Sequence, residues 1–300
     1  MSLRLEMLQV ARLAPKLLGD SADLVREFLL RQQNDDGGFK DRTGRSDLYY
    51  TVFGLEGLLA LQAPVPVERV ASYLRSCGCG EDLDFVHACC LARCWAALAN
   101  ADASVVASQP AELRTRLLAR IAEFRSTDGG FNPAPRSPYG TAYGCFLGLG
   151  AHQDLHAQLP EPLRVVQSLK FLETPEGAWA NDRNVKIGST NATAAAVSVL
   201  RNLQVPVNAS VGQWLLAQCH AEGGFLALPR APMPDLLSTA TALHALAGLQ
   251  VPLDAIKDPC LDFIDTLWTN EGSFHGNWTD DHLDCEYTYY GLLALGHLSL

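Results

Sequence analysis

A glycine-aromatic motif recurs along this chain at a nearly constant spacing. Each copy is a glycine followed, directly or after one small residue, by an aromatic residue: Phe39, Phe131, Trp179, Phe225 and Phe274. The intervals are 92, 48, 46 and 49 residues, and the first is about twice the others, so we expect one degenerate copy near residue 85. Self-similarity at this period is typical of stacked helical hairpins. The chain is therefore predicted to consist of six repeats of one helical unit.

A threonine forms a second anchor in the repeats, and each opens an apolar run at helical spacing. The five copies are Thr51, Thr141, Thr193, Thr239 and Thr288. Small residues close behind several of them allow a second helix to pack closely. Each unit is thus expected to run from an outer helix through a glycine-aromatic loop into an inner helix.

The repeat pattern runs from end to end without a linker, so residues 1–300 are predicted to form a single domain. The second helices, such as residues 190–200 and 239–249, are too apolar to face water. The last repeat lacks the polar outer face that ends an open solenoid. We therefore predict an all-α fold of the α6/α6 toroid class, a closed barrel of six helical hairpins, over an open solenoid.

The net charge and the cysteine content limit the cellular compartment and the classes of binding partner that we expect. A net charge of -10 disfavours nucleic acid and anionic membrane surfaces. No run of 18 apolar residues is free of charge, so no membrane span is expected. Residues 1–20 are predicted to form an amphipathic helix and not a signal peptide. Nine cysteines suggest reduced thiols and a cytoplasmic protein.

The glycine-aromatic loops of the first and last repeats carry opposite charges. The first loop is basic, with Lys40, Arg42 and Arg45. The last is acidic, with Asp280, Asp281, Asp284 and Glu286. If the ring closes, these two loops become neighbours at one mouth of the barrel.

Aromatic residues cluster where the inner helices are expected to begin. They are Tyr49, Tyr50, Phe53, Tyr139, Tyr143, Phe146, Tyr287, Tyr289 and Tyr290. One interpretation is ordinary core packing. The other is an aromatic-walled cavity for a long apolar ligand, because a buried phenol needs a hydrogen-bond partner.

These motifs resemble the protein prenyltransferase β-subunits and the related terpene cyclases such as squalene-hopene cyclase, over about residues 20–300. The resemblance implies a barrel that binds an isoprenoid diphosphate in its aromatic cavity, with basic residues at the mouth. It also implies a zinc ion, held by Asp, Cys and His, that activates a protein cysteine. A helical partner subunit or a homodimer is compatible with it.

The diphosphate part of that resemblance rests on residues 37–51. Arg42 and Arg45 stand where the family has an Arg and a Lys after the Gly-Phe pair, and Tyr50, counted from Asp47, stands where a tyrosine contacts the diphosphate. Guanidinium and phenol groups suit a diphosphate.

The expected substrate-binding set is Arg42, Arg45, Asp47, Tyr49, Tyr50, Tyr139, Tyr143 and Tyr287. A prenyl diphosphate should then bind more tightly than its alcohol. The family loop lies near the C-terminal end, however, and a solvated basic loop is the alternative.

The zinc part departs from the family pattern. The aspartates survive as Asp47, Asp235 and Asp284, but Tyr49, Leu237 and Glu286 occupy the cysteine positions. Zinc is therefore not expected at the family site. A different site could form from Asp84, His87 and nearby thiols, namely Cys77, Cys79, Cys89 and Cys90; buried inert thiols are the alternative. Magnesium is possible, because Asp280, Asp281 and Asp284 spell D-D-x-x-D, which binds it when helical.

The terpene cyclases suggest another role for the last loop. Asp284, Glu286 and Thr288 resemble the D-x-D-D-T motif that protonates an alkene, with Glu286 in place of the second aspartate. A carboxylic acid in an apolar pocket has a raised pKa. The catalytic candidates are therefore Asp284 and Glu286, unless both only cap an inner helix.

Three functions remain open at this stage. The first is a prenyltransferase-like enzyme that binds an isoprenoid diphosphate without the family zinc. The second is a single-barrel, terpene cyclase-like enzyme that uses Asp284 or Glu286 as its acid. The third is a noncatalytic barrel that binds a lipid or a partner helix.

Overall fold

A computed structural model describes residues 1–300, and almost all of its regular structure is helical. In chain order the helices are α1 (Leu3–Ala11), α2 (Pro15–Leu18), α3 (Ser21–Arg31), α4 (Leu48–Ala60), α5 (Val67–Ser76), α6 (Phe85–Ala101), α7 (Leu113–Ala122), α8 (Ala142–Asp154), α9 (Pro162–Lys170), α10 (Thr190–Asn202), α11 (Ser210–Leu216), α12 (Leu236–Gly248), α13 (Asp254–Leu267) and α14 (Cys285–Leu298). A 3₁₀ helix covers Ala103–Ser108. Two short hairpins pair β1 (Phe39–Lys40) with β2 (Ser46–Asp47) and β3 (Trp268–Thr269) with β4 (Ser273–Phe274).

The even-numbered helices from α4 to α14 form an inner ring. Each packs against the next, and α14 packs against α4, so the ring closes on itself. The predicted α6/α6 toroid is confirmed. We call the end where the inner helices begin the mouth, and the end where they finish the far end.

The odd-numbered helices from α3 to α13 lie outside this ring. Each buries one apolar stripe and exposes its charged face; α3, for example, buries Val25, Phe28 and Leu29. The inner helices are apolar on most sides, as expected of elements enclosed by an outer layer. The amphipathic pattern therefore separates the two layers.

The two sequence anchors meet at the start of the inner helix in the first, fourth and fifth repeats. In the third repeat the predicted anchor Thr141 is instead the cap of α8, where its side chain accepts from the Gly144 N–H at 2.9 Å, so its assignment to the Thr51 position is wrong. The Phe39 ring packs against Gly54 so closely that a Cβ there would lie 2.2 Å from it. Phe131 with Gly148 and Phe274 with Gly291 pack in the same way, with a corresponding distance of 2.5 Å. The Phe39 N–H donates to Thr51 Oγ1 at 3.0 Å. Trp179 with Thr193 and Phe225 with Thr239 repeat that bond at 3.0 and 2.9 Å. The motif thus fastens the glycine-aromatic loop to its inner helix in the repeats that carry it.

The second repeat lacks the aromatic residue, as its degenerate sequence indicated. Between α5 and α6 the chain places buried Cys79 beside Gly80, which has a φ of 80°, and Asp84 then caps α6. All nine cysteines are free thiols.

The N-terminal segment closes the far end of the ring. The expected single helix over residues 1–20 is wrong: the chain turns after Ala11, and Pro15 starts the short α2. Helix α1 packs against α4, α8 and α14, and Arg4 pairs with Asp154 at 3.2 Å and with Glu56 at 3.6 Å. No helix is both long enough and apolar enough to cross a bilayer.

Candidate functional site

A cavity of about 260 Å³ lies inside the inner ring. One wall is aromatic and comes from α4, α8 and α14, with Tyr49, Tyr143, Phe146 and Tyr290. The opposite wall comes from α10 and α12 and carries mostly small and polar residues, with one leucine: Asn191, Ala194, Ala195, Ser198, Leu237, Thr241 and His244. Met7 of α1 completes the lining. Several of the aromatic residues singled out in the sequence therefore do face a cavity.

Aspartates at the mouth cap four of the inner helices. Asp47 accepts from the backbone N–H groups of Tyr49 and Tyr50, at 2.8 and 3.2 Å. Asp84, Asp235 and Asp284 cap α6, α12 and α14 in the same way. These carboxylates satisfy N–H groups that have no partner inside the helix. The capping role that the sequence suggested for Asp284 is thus present in the structure.

Arg42 connects the first loop to the last across the mouth. Its Nε donates to Asp284 Oδ2 at 2.8 Å and its Nη2 to Asp280 Oδ2 at 3.0 Å. The guanidinium also lies 5.4 Å from the centre of the Tyr287 ring. Burial raises the pKa of Asp284, while the Tyr287 N–H and Arg42 act in the opposite direction. Arg42 therefore occupies the space between the first and last aspartates of the D-D-x-x-D motif, which lies in a loop until α14 begins.

Of the eight predicted binding residues, only Tyr49 and Tyr143 line the cavity. Arg42, Asp47, Tyr50 and Tyr287 lie at the mouth without lining it, and the remaining two lie further away. Arg45 is exposed, and its Nε donates to Thr43 Oγ1 within the same loop at 3.1 Å. Tyr139 is 40 % exposed and stacks under the guanidinium of Arg183, 4.3 Å away. The expectation that Arg45 and Tyr139 face the cavity is wrong, because both lie on loop segments that extend outward before the inner helix begins. Tyr50 and Tyr287 are half-buried on the rim.

Glu286 lies where the aromatic wall meets the mouth. Tyr49 Oη donates to Glu286 Oε1 at 2.5 Å, and Tyr49 itself lines the cavity. Burial raises the pKa of Glu286 to about 7, although the bond from Tyr49 favours the charged form. A carboxyl with a pKa near neutral keeps part of its population in the acid form, which can donate a proton.

Comparison with known proteins identifies the family. Residues 7–104 and 190–299 match the prenyltransferase alpha-alpha toroid domain. The chain belongs to this family. No curated protein sequence matches it.

Solved structures share the toroid fold at low sequence identity. The type II terpene cyclase MstE from Scytonema is 14% identical, with a TM-score of 0.60, over 94% of this chain and 97% of that one. A protein from Actinoplanes is 18% identical, with a TM-score of 0.59, over 93% and 98%. The Candida albicans protein geranylgeranyltransferase-I is 15% identical, with a TM-score of 0.51, over 98% and 82%. These likenesses concern the fold.

The toroid's second repeat adds a residue to the mouth whose place the sequence did not reveal. His87 bridges two helix caps, with Nε2 3.0 Å from Asp47 Oδ2 and Nδ1 2.8 Å from Asp84 Oδ2. The bond to Asp47 is the main cause that raises the pKa of His87 to about 9. The Asp-x-x-His pattern was visible, but the partner Asp47, 40 positions away, was not.

The cysteines near His87 do not join it. Cys89 and Cys90 are buried, and burial raises the pKa of both thiols. In this toroid no group of three or more His, Cys, Asp or Glu side chains is arranged to hold a metal ion. The absence of zinc from the family site and the possible binding of magnesium both stay predictions.

Proposed function

We propose that this toroid protein is a terpene cyclase-like enzyme, which binds an isoprenoid-type chain in its cavity and protonates it with Glu286. The observation that carries the proposal is the position of Glu286, hydrogen-bonded to a tyrosine of the cavity wall and with a pKa near 7. An acid of that strength is available at neutral pH without a metal or cofactor.

The cavity wall suits the charge that such a reaction creates. Protonation of an isoprenoid produces a carbocation, and the faces of Tyr49, Tyr143, Phe146 and Tyr290 attract positive charge. The apolar surroundings also exclude water, which would quench the cation. Relatives of the same fold support this ligand class, since MstE was solved with geranylgeranyl dihydroxybenzoate as substrate and the transferase with GGPP.

The pKa of Glu286 limits the class of substrate that it can protonate. A carboxyl with a pKa near 7 transfers a proton far more readily to an oxygen than to an isolated alkene. A terminal epoxide is therefore the better match: Glu286 protonates the oxygen, the C–O bond breaks and an alkene closes a ring on the carbon left behind. The cyclised cation then loses a proton to solvent, and the Glu286 carboxylate takes a proton back from solvent. The overall reaction is an isomerisation.

The alternative, diphosphate binding, has weaker support. The rim cation nearest the cavity, Arg42, already binds Asp280 and Asp284. Arg45 is directed away, and the mouth also carries Glu286 and Asp47. A diphosphate would have to displace two carboxylates from Arg42 and approach further negative charge.

The decisive experiment offers the protein a terminal epoxide of geranylgeranyl acetate and analyses the products by gas chromatography and mass spectrometry. We expect a cyclised isomer from the unmodified protein and none from Glu286→Gln, which should still bind the epoxide. Glu176→Gln, at an exposed loop carboxylate, is the matched control and should keep the activity. Equal turnover by Glu286→Gln would refute the proposal. Bound epoxide without turnover in any variant would favour the noncatalytic lipid-binding barrel.

A further inference from the structure

A pair of buried histidines lies deep in the barrel, apart from the acid at the mouth. His244 Nδ1 and His297 Nε2 are 3.1 Å apart, and the two side chains are only 6 % and 3 % exposed. His244 lines the cavity, and its Nε2 bonds to no group of the protein. His297 Nδ1 is buried without a partner. Two imidazoles in an apolar barrel require an explanation, because buried polar groups are normally paired.

The hydrogen bond between the rings fixes which nitrogens carry protons. Burial lowers the pKa of His244 to about 4 and that of His297 to about 3, so both rings are neutral near pH 7. If His297 carried its proton on Nδ1, that N–H would be buried without an acceptor. An unmet acceptor is tolerated better than an unmet donor. His297 therefore carries its proton on Nε2 and donates to His244 Nδ1.

This tautomer leaves His244 with its proton on Nε2. An N–H donor without a protein partner then faces the cavity from the wall that α10 and α12 form. Ser198 stands at the equivalent position of the neighbouring helix, nine residues after its cap, as His244 does. Both lie roughly 10 Å further along the barrel axis than Glu286, which is two residues after its cap. The cavity thus has polar groups at both ends.

We propose that the deep end of the cavity recognises a hydroxyl or carbonyl oxygen on the inner end of the bound chain, with His244 Nε2 as donor and His297 as its positioning residue. The inference rests on the proposed function, which places an isoprenoid-type chain in the barrel. The inference adds that the preferred chain carries an oxygen at the end remote from the mouth. Chains that end there in a plain hydrocarbon are therefore not preferred substrates of this protein.

The test compares two small probes, geraniol and the hydrocarbon myrcene, by displacement of a fluorescent fatty-chain probe. The ratio of their affinities should fall about five-fold in His244→Phe, the effect of one neutral hydrogen bond. His244→Gln keeps a donor and should retain part of the preference. The matched control is His152→Phe, since His152 is also buried but bonds to the Gly148 carbonyl at 2.7 Å and lies outside the cavity lining.

A spectroscopic measurement on the unmodified protein does not depend on whether the variants fold. In long-range ¹H–¹⁵N spectra of the histidine rings, geraniol should shift the Nε2 signal of His244, and myrcene should not. A preference that survives in His244→Phe but is lost in Glu286→Gln would overturn the proposal and place the hydroxyl at the mouth. Geraniol that binds without moving the His244 signals would also overturn it.

The outcomes separate this inference from the proposed function. If both probes bind and the affinity ratio is the same in all variants, only the recognition of oxygen is wrong. If neither probe binds, the cavity is not a site for isoprenoid-type chains, and both proposals fall together.

Discussion

Tyr49 on the first inner helix donates a 2.5 Å hydrogen bond to Glu286 on the last, across the seam where the ring closes. The environment of the proposed acid therefore exists only when the first and last repeats meet. Arg42 spans the same seam to Asp280 and Asp284. Closure of the toroid and assembly of the candidate site are the same structural event.

Removing the phenol should make Glu286 a weaker acid. In Tyr49→Phe the charged carboxylate loses a hydrogen bond, so we expect the pKa of Glu286 to rise above its value of about 7. Carbon-13 NMR titration of the labelled carboxyl measures it. Tyr143→Phe is the control, because Tyr143 lines the same cavity without bonding to Glu286. An equal pKa in Tyr49→Phe and the unmodified protein would show that the bond does not hold in solution.

Glu286 should also make the folded protein less stable as pH rises. Its pKa is about 7 when folded and near 4.5 when unfolded, so the folded state binds more protons between these values. Stability linked to Glu286 is therefore complete below pH 4.5 and lost as pH rises to about 7, by an amount on the order of 3 kcal/mol. Between pH 5 and pH 8, the unfolding free energy measured with urea should fall less in Glu286→Gln than in the unmodified protein. If it falls as much in Glu286→Gln as in the control Glu176→Gln, the assigned pKa is wrong.

His87 should produce a second, separate loss of stability at higher pH. Its pKa is about 9 when folded and near 6.5 when unfolded, so the stabilisation is complete below pH 6.5 and disappears as pH rises through 9. We expect about 1–2 kcal/mol, after allowance for solvent screening of a side chain that is 32% exposed.

His87→Gln should remove this dependence of the unfolding free energy on pH. His156→Gln is the control, because His156 is exposed and glutamine already stands at the equivalent helix ends, as Gln62, Gln204 and Gln250. Unfolding curves that shift equally in both variants between pH 7 and 9 would mean that the bridge between Asp47 and Asp84 contributes nothing.

The fold was predictable because the same sequence pattern recurs at the junction of loop and inner helix in most repeats. Phe39 with Thr51 and Gly54 encodes one loop-to-helix junction, and its recurrence fixes the number of hairpins. Closure of the ring also predicted that the oppositely charged first and last loops are neighbours, which the bond from Arg42 to Asp284 confirms. Features that recur from repeat to repeat, or that follow from which repeats are adjacent, can therefore be predicted from the sequence.

The site was less predictable because it depends on side-chain direction and on pairs from distant repeats. The spacing of Arg45 matched a family pattern, yet its side chain bonds to Thr43 and turns outward. His244 sits in a run of small apolar residues, and nothing in that run indicates His297, 53 positions later, as its partner. Such contacts follow from the three-dimensional packing of the ring and leave no local pattern.

Zinc should be absent from the aspartate positions that the family uses. Asp47, Asp235 and Asp284 each cap a helix. Asp47 contacts His87, but none of the three aspartates belongs to a group of three or more side chains arranged to hold a metal ion. Mass spectrometric metal analysis of purified protein should find far less than one zinc per chain, and added zinc should not raise the melting temperature. Stoichiometric zinc that is lost in Asp284→Ala but kept in Asp281→Ala, at the exposed neighbouring carboxylate, would prove this prediction wrong.

Arg42 and Arg45, which the sequence pairs as diphosphate ligands, should behave differently. Arg42→Ala leaves Asp284 buried beside Asp280 without its cation, so we expect a loss of about 2 kcal/mol in unfolding free energy. Arg45→Ala, at an exposed loop position, should cost less than about 0.5 kcal/mol.

Calorimetry with farnesyl diphosphate and farnesol tests whether these arginines bind a diphosphate. Because Arg42 is already paired, we expect the diphosphate to bind no more tightly than the alcohol. Tighter binding of the diphosphate, abolished when both arginines are replaced, would instead establish the prenyltransferase-like function and displace the acid-catalysed one.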